Sequence, residues 1–128
     1  MKKYGDLVLK EDLCSVTKFF HSTFLFTNDS GTWIVQNDKI LLANLTKSFK
    51  RYHQLGASHC QLTRNTQQQF GQTHIISTVI WGLFHNNGEQ LVDFEVSYGI
   101  KLFDEEYKFI FVIDHNEDEN IQQYEKLK

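Results

Sequence analysis

The sequence predicts an α+β domain, with helices packed on one side of a long, bent antiparallel sheet. Three observations predict it. Residues 73–102 hold two runs rich in β-branched and aromatic side chains around His85-Asn86-Asn87-Gly88, and Asn-Gly is a strong hairpin signal. Leu41, Leu45, Phe49 and Tyr52 fall on one helical stripe that stops at Gly56. Tyr107 to Ile113 (YKFIFVI) is apolar on both faces, as in a strand covered on both sides.

The opening segment, Met1 to Leu9, fits either a helix end or a short strand. Asp12 is placed to cap a short helix through Leu13, Val16, Phe19 and Phe20. Ser22 to Thr27 (STFLFT) and Thr32 to Val35 flank the turn cluster Asn28-Asp29-Ser30-Gly31 and predict a hairpin. Asn37 or Asp38 caps the long helix, and Lys47, Lys50 and Arg51 sit toward its C-terminal end, where cations match the helix dipole. Ala57 to Phe70 is a long, mostly polar strand, turned by Gly71-Gln72 into the central hairpin.

With Asn87-Gly88 as a two-residue type I′ loop, the central register follows from the two-residue period of a strand. Leu83 faces Val92, Trp81 faces Phe94, Val79 faces Val96 and Ile75 faces Ile100, on one apolar face. Gly82 with Asp93, Ile80 with Glu95, Thr78 with Ser97 and His74 with Lys101 make the other face mixed. Ser77 opposite Tyr98 notches the apolar face. A two-residue Gly71-Gln72 turn sets Cys60, Leu62, Arg64 and Thr66 on the face of Trp81, and a slip of one sets His59, Gln61, Thr63 and Asn65 there instead. Either register brings polar groups to an apolar face, which suits a solvated cavity or a strand that runs past the core. Asp104-Glu105-Glu106 makes the last turn, and the charged segment from Asp114 onward is a short helix or disordered.

Composition narrows the classes. A chain of 128 residues with 41% hydrophobic and 23% charged content suits one globular domain. A net charge of −3 argues against nucleic acid as a partner, and no apolar run is long enough to span a bilayer. Cys14 and Cys60 show no metal spacing; with no secretory leader read at the N-terminus, they are expected as reduced thiols in a cytoplasm. Neither a phosphate-binding glycine loop nor a G-x-S-x-G elbow occurs, and the six histidines lack HxH or HxxxH spacing, so neither cofactor nor metal is expected. Asp114, Asn116, Asp118, Asn120 and Glu125 fall at calcium-loop positions, but Glu119 stands where the sharp turn needs glycine and a strand precedes them, so they read as an acidic, solvated terminus.

Val79-Ile80-Trp81 ahead of Asn87-Gly88, Phe94-Glu95-Val96-Ser97-Tyr98, the acidic turn with Tyr107-Lys108-Phe109-Ile110 ahead of His115, and the helix ending in Tyr52 and Gly56 together resemble the nuclear transport factor 2-like superfamily, in its polyketide-cyclase-like (SnoaL-like) branch. The resemblance covers roughly residues 4–117. It implies a cystatin-like cone, in which a strongly bent antiparallel sheet wraps around the long helix, over residues 1–117, with 118–128 as a charged tail. It also implies a pocket inside the cone and a homodimer through the outer face of the sheet. The superfamily holds isomerases, epoxide hydrolases, cyclases, dehydratases and non-catalytic binding domains, so fold alone selects none of them.

Tyr98 and Ser77, with Trp81 and Phe94 beside them and Arg64 and His115 in reach, are the expected ligand-binding residues for a small, largely apolar molecule. The plainer reading of the notch is a Tyr98–Ser77 hydrogen bond between two buried hydroxyls. Two alternatives stand beside the binding module. One is an isomerase, cyclase or hydrolase that uses a pocket acid or histidine, with His115 and His59 foremost. The other is a dimerisation or interaction domain using exposed Ile76, Ile80, Phe84 and Leu91. Asp93 and Glu95 lie on the mixed face and read as solvated carboxylates.

Overall fold

The computed structural model describes residues 1–8 and 12–127. Leu9, at the end of the ambiguous opening segment, and Lys128, at the end of the tail, lie outside them. Two short helices, α1 (Lys2–Leu7) and α2 (Leu13–Thr17), precede the hairpin β1 (Phe20–Asn28) and β2 (Gly31–Gln36). The long helix α3 (Lys39–Gln54) follows, then β3 (His59–Phe70), β4 (His74–Phe84), β5 (Gln90–Phe103), β6 (Glu106–Asp114) and a last helix, α4 (Glu117–Lys126).

The local chemistry explains the helix ends. Asp12 Oδ1 accepts from the Ser15 amide at 3.2 Å and starts α2. Asp38 Oδ1 accepts from the Ile40 amide at 2.8 Å and starts α3. Asn37, the rival cap, instead donates its side-chain amide to the carbonyls of Thr17 and Phe20, both at 2.9 Å, tying α2 to the first hairpin. Gly56 takes φ +100° just past the end of α3, a conformation that a side chain would strain.

One six-stranded sheet runs in the order β2-β1-β6-β5-β4-β3. Among the described residues only the β1–β6 pairing is parallel. Because β6 lies between β1 and β5, both its edges are paired, but only one face is covered: Phe109 and Val112 are buried, whereas Tyr107 and Ile113 are 53% and 39% exposed, so the expected cover on both sides is not found. Every expected β4–β5 partner is found, from Leu83–Val92 to His74–Lys101. The turn itself differs from the expected type I′. Gly88 has φ 91°, but Asn87 does not have positive φ; its Oδ1 accepts from the Glu89 amide at 2.9 Å. The Gly88 amide bonds the His85 carbonyl, and the His85 amide bonds the Glu89 carbonyl, as in a longer loop closed by a glycine. A register shift between Leu83 and Phe84 absorbs the extra residue, so the pairing beyond it is unchanged.

On the other side of β4, a shift between Leu62 and Arg64 divides the strand. Cys60 pairs with Leu83 and Leu62 with Trp81, as the two-residue turn requires; beyond the shift, Asn65 pairs with Val79 and Gln67 with Ser77, as the slipped register requires. Each expected register therefore holds over part of the strand. The shift moves Arg64 opposite Ile80, onto the mixed face and into solvent.

The segment expected as a charged tail forms α4 as far as Lys126. Ile121 is fully buried, Asn120 Nδ2 donates to the Asp93 carbonyl at 2.8 Å, and Arg51 of α3 reaches Asp118 at 2.7 Å and Glu125 at 3.2 Å. The residues with calcium-loop spacing are thus spread over the end of β6 and a helix, with Asp118 and Glu125 committed to arginine.

Candidate ligand cavity

The concave face of the sheet, α1 and α3 enclose a cavity of about 610 Å³. Its carboxyls and phenols converge at the floor. Trp81 comes from β4, Tyr98 from β5, Tyr4 from α1, Tyr52 from the last turn of α3, and Asp114 and Glu117 from the β6–α4 junction. The exposed lining residues, Trp33, Ile34, Gln36, Ile40, Asn44 and Lys47, lie on β2 and α3 and form the mouth.

Alternation along β4 and β5 turns Trp81 and Tyr98 inward. Trp81 Nε1–H donates to Tyr98 Oη at 2.8 Å, satisfying two buried polar atoms. Tyr4 packs edge-on against Tyr98 and tilted against Trp81, both with centroids 5.9 Å apart, and edge-on against Phe109 at 5.2 Å. Helix α1 approaches so closely because residue 5 is glycine: a Cβ there would come within 2.5 Å of the Trp81 ring.

Glu117 is the floor's acid. It opens α4, and its amide donates to Asp114 Oδ1 at 3.0 Å, which fixes the junction. Its carboxylate accepts a hydrogen bond from the Tyr52 hydroxyl. Burial pushes Glu117 up to about 7, with the neighbouring Asp114 adding to the rise; the Tyr52 hydroxyl and the Arg51 charge oppose it. Asp114 is also raised by burial, against the backbone amides of Glu117 and Asn116 that favour its ionised form. Burial raises Tyr4, Tyr52 and Tyr98, and pushes the Cys60 thiol up to about 12.

Tyr98, Trp81 and Phe94 line this cavity. Ser77 is fully buried beside it, and its hydroxyl donates to Asn65 Oδ1 at 2.8 Å rather than to Tyr98. The Ser77–Tyr98 hydrogen bond is therefore replaced by two separate bonds, because Trp81 and Asn65 supply nearer partners. Arg64 and His115 stand outside the cavity. His115 follows inward-facing Asp114 by one residue, so it points to the outer face. There its Nε2 bonds Ser97 Oγ at 2.8 Å and its Nδ1 lies 3.1 Å from Glu95 Oε1. His59 stacks on Phe84, with ring centroids 5.3 Å apart. The acid at the floor, Glu117, was missed among the charges of the C-terminal segment; the signal for it was the spacing Glu117, Ile121, Tyr124, one stripe of a helix. Among the described residues no cluster of His, Cys, Asp and Glu is arranged to hold a metal ion, and no helix is long and apolar enough to cross a membrane.

Comparison with known proteins agrees with this architecture. A cystatin-like-fold protein from Nostoc punctiforme superposes with a TM-score of 0.69 at 9% identity, covering 88% of this chain and 81% of its own. Aln2 from a Streptomyces species gives 0.70 at 9% identity, covering 98% and 89%. An NTF2-like protein with a cystatin-like fold from Novosphingobium aromaticivorans gives 0.68 at 10%, covering 98% and 82%. At such identities the likeness is one of fold. No curated protein sequence matches the chain. The family model described as NTF2-like protein (DUF6841) matches residues 1–117, and the chain belongs to that family.

Proposed function

We propose that the domain binds a small, largely apolar molecule inside the cone. The observation that carries this reading is the aromatic cavity of about 610 Å³ whose carboxyls and phenols converge at one end. Tyr98, Tyr52 and Glu117 all border this open space, and each already has a partner beside it, Trp81 for Tyr98 and Tyr52 for Glu117. The test is saturable binding of a neutral, solvatochromic naphthalene dye. Tyr98→Phe, Trp81→Phe and Trp33→Ala should each weaken it, and unchanged affinity in all three would remove the cavity as the site. Cytoplasmic residence belongs to the same proposal, supported by the free thiols of Cys14 and Cys60.

One observation favours an enzyme of the isomerase, cyclase or hydrolase kind as the alternative. Glu117 carries a carboxyl held near neutrality inside an apolar cavity, a state suited to proton transfer at working pH. Deuterium uptake by cyclic ketones in heavy water, abolished by Glu117→Gln and kept by His115→Ala, would support it; no uptake by wild type would count against it. The homodimer through the outer face is likewise a proposal. In its support, Ile34, Leu25, Phe111, Gly99 and Ile76 fall in one row across β2, β1, β6, β5 and β4. The side chains first expected to be exposed, Ile76, Ile80, Phe84 and Leu91, are only half-exposed, whereas Ile34 is 74% exposed. Sedimentation at high concentration tests it, and Ile34→Asp with Leu25→Asp should shift a dimer to monomer.

A further inference from the structure

The cavity floor is one-signed. Its ionisable groups are the carboxyls of Asp114 and Glu117, the phenols of Tyr4, Tyr52 and Tyr98, and the thiol of Cys60. Lys47, the cation of the lining, stands on an exposed position of α3 near the mouth. Arg51 lies behind the floor and spends its guanidinium on Asp118 and Glu125. An anionic head group at the floor would meet two carboxyls and no donor of positive charge. A cation would meet a carboxylate and, around it, the rings of Tyr4, Tyr52, Trp81 and Tyr98, whose π faces attract positive charge.

From this arrangement we propose that the ligand is an apolar amine, whose ammonium group sits at the floor against Glu117 and Asp114 among the tyrosine and tryptophan rings. The inference rests on the cavity being a binding site and names the class of ligand that it takes. A buried ammonium needs a paired counter-charge, and Glu117 supplies it by giving up its proton. That proton passes to solvent as the amine enters, so binding and deprotonation are coupled. The charges facing Glu117 are Asp114 from β6, Asp118 from its own helix and Arg51 from α3. The phenols and thiol that feel its charge are Tyr4 from α1, Tyr52 from α3, Tyr98 from β5 and Cys60 from β3. These four are raised by burial and stay neutral around pH 7, which leaves the floor's two carboxyls to change charge, both raised by burial and Glu117 to about 7.

The test uses matched trios, each an amine, an alcohol and a carboxylic acid on one skeleton: adamantane, naphthylmethyl and decyl. Calorimetry on the full chain should find the best-fitting amine bound at least about tenfold tighter than its alcohol, and the acid weakest. The amine's affinity should fall about tenfold per pH unit below about 7. Repeating the titration in buffers of different ionisation enthalpy should show a proton released on binding by wild type, a readout that needs no mutant. Glu117→Gln should remove both the amine's advantage and the proton release. If alcohol and amine bind alike without proton release, the ammonium site is overturned and the apolar cavity stands. If no member of any trio binds, the cavity reading falls and the ammonium site falls with it.

Discussion

The floor and the mouth of the cavity are built on opposite terms. At the floor, Trp81 is 2% exposed, Tyr98 and Tyr4 are buried, and Trp81 and Tyr98 share a hydrogen bond across the β4–β5 pair. At the mouth, Trp33 is 47% exposed and Ile40 56%, and β2 is an edge strand paired on one side. The same kind of residue, tryptophan, thus appears once as a packed structural element and once as a ring facing water. Apolar area alone does not separate structure from function; the number of neighbours that would collapse or reorganise does.

Four measurements break or sharpen that contrast. Trp81→Ala empties the floor and should cost about 3–5 kcal/mol in denaturant unfolding. Gly5→Ala drives a methyl into the Trp81 ring and should cost about 1–3 kcal/mol, while leaving the mouth intact. The third is pH. Glu117 rises from 4.5 to about 7 on folding, so the folded chain holds this proton longer than the unfolded one. Its contribution is complete below the unfolded value and is lost as pH climbs through about 7. Wild type should therefore lose about 1 kcal/mol per pH unit over that window, and Glu117→Gln should flatten the profile. The smallest effect belongs to the mouth: Ile40→Ser should change stability by less than about 0.5 kcal/mol. A larger loss there would mean that the mouth is packed as the floor is.

How much of this was legible follows from period and interruption. The β4–β5 register runs without a shift between Ile75 and Leu83, and the apolar face is interrupted at Ser77 alone, so the pairing and the inward direction of Trp81, Phe94 and Tyr98 could be read directly. The register survived a wrong turn type because one extra residue near Leu83 compensated for the longer loop. Arg64 could not be placed, since the shift after Leu62 carries no glycine or proline to announce it. The reading that let His115 reach the pocket gave no weight to Asp114 next to it as the inward residue of the pair. Glu117 was hidden for another reason: it sits among Asp114, Asp118 and Glu119, and a run of acids reads as solvated unless one partner shows that a member is buried. That partner, Tyr52, lies in a different element.

Helix α1 has a consequence in time. It has six residues, too few to hold a helix unaided, and Tyr4 finds its partners on Phe20, Trp81, Tyr98 and Phe109. During synthesis Tyr4 leaves the ribosome roughly 5 to 20 s before Phe109 at ordinary elongation rates. For that interval the first helix lacks its full set of partners, and the base of the cone closes only when Phe109 joins residues made well before it.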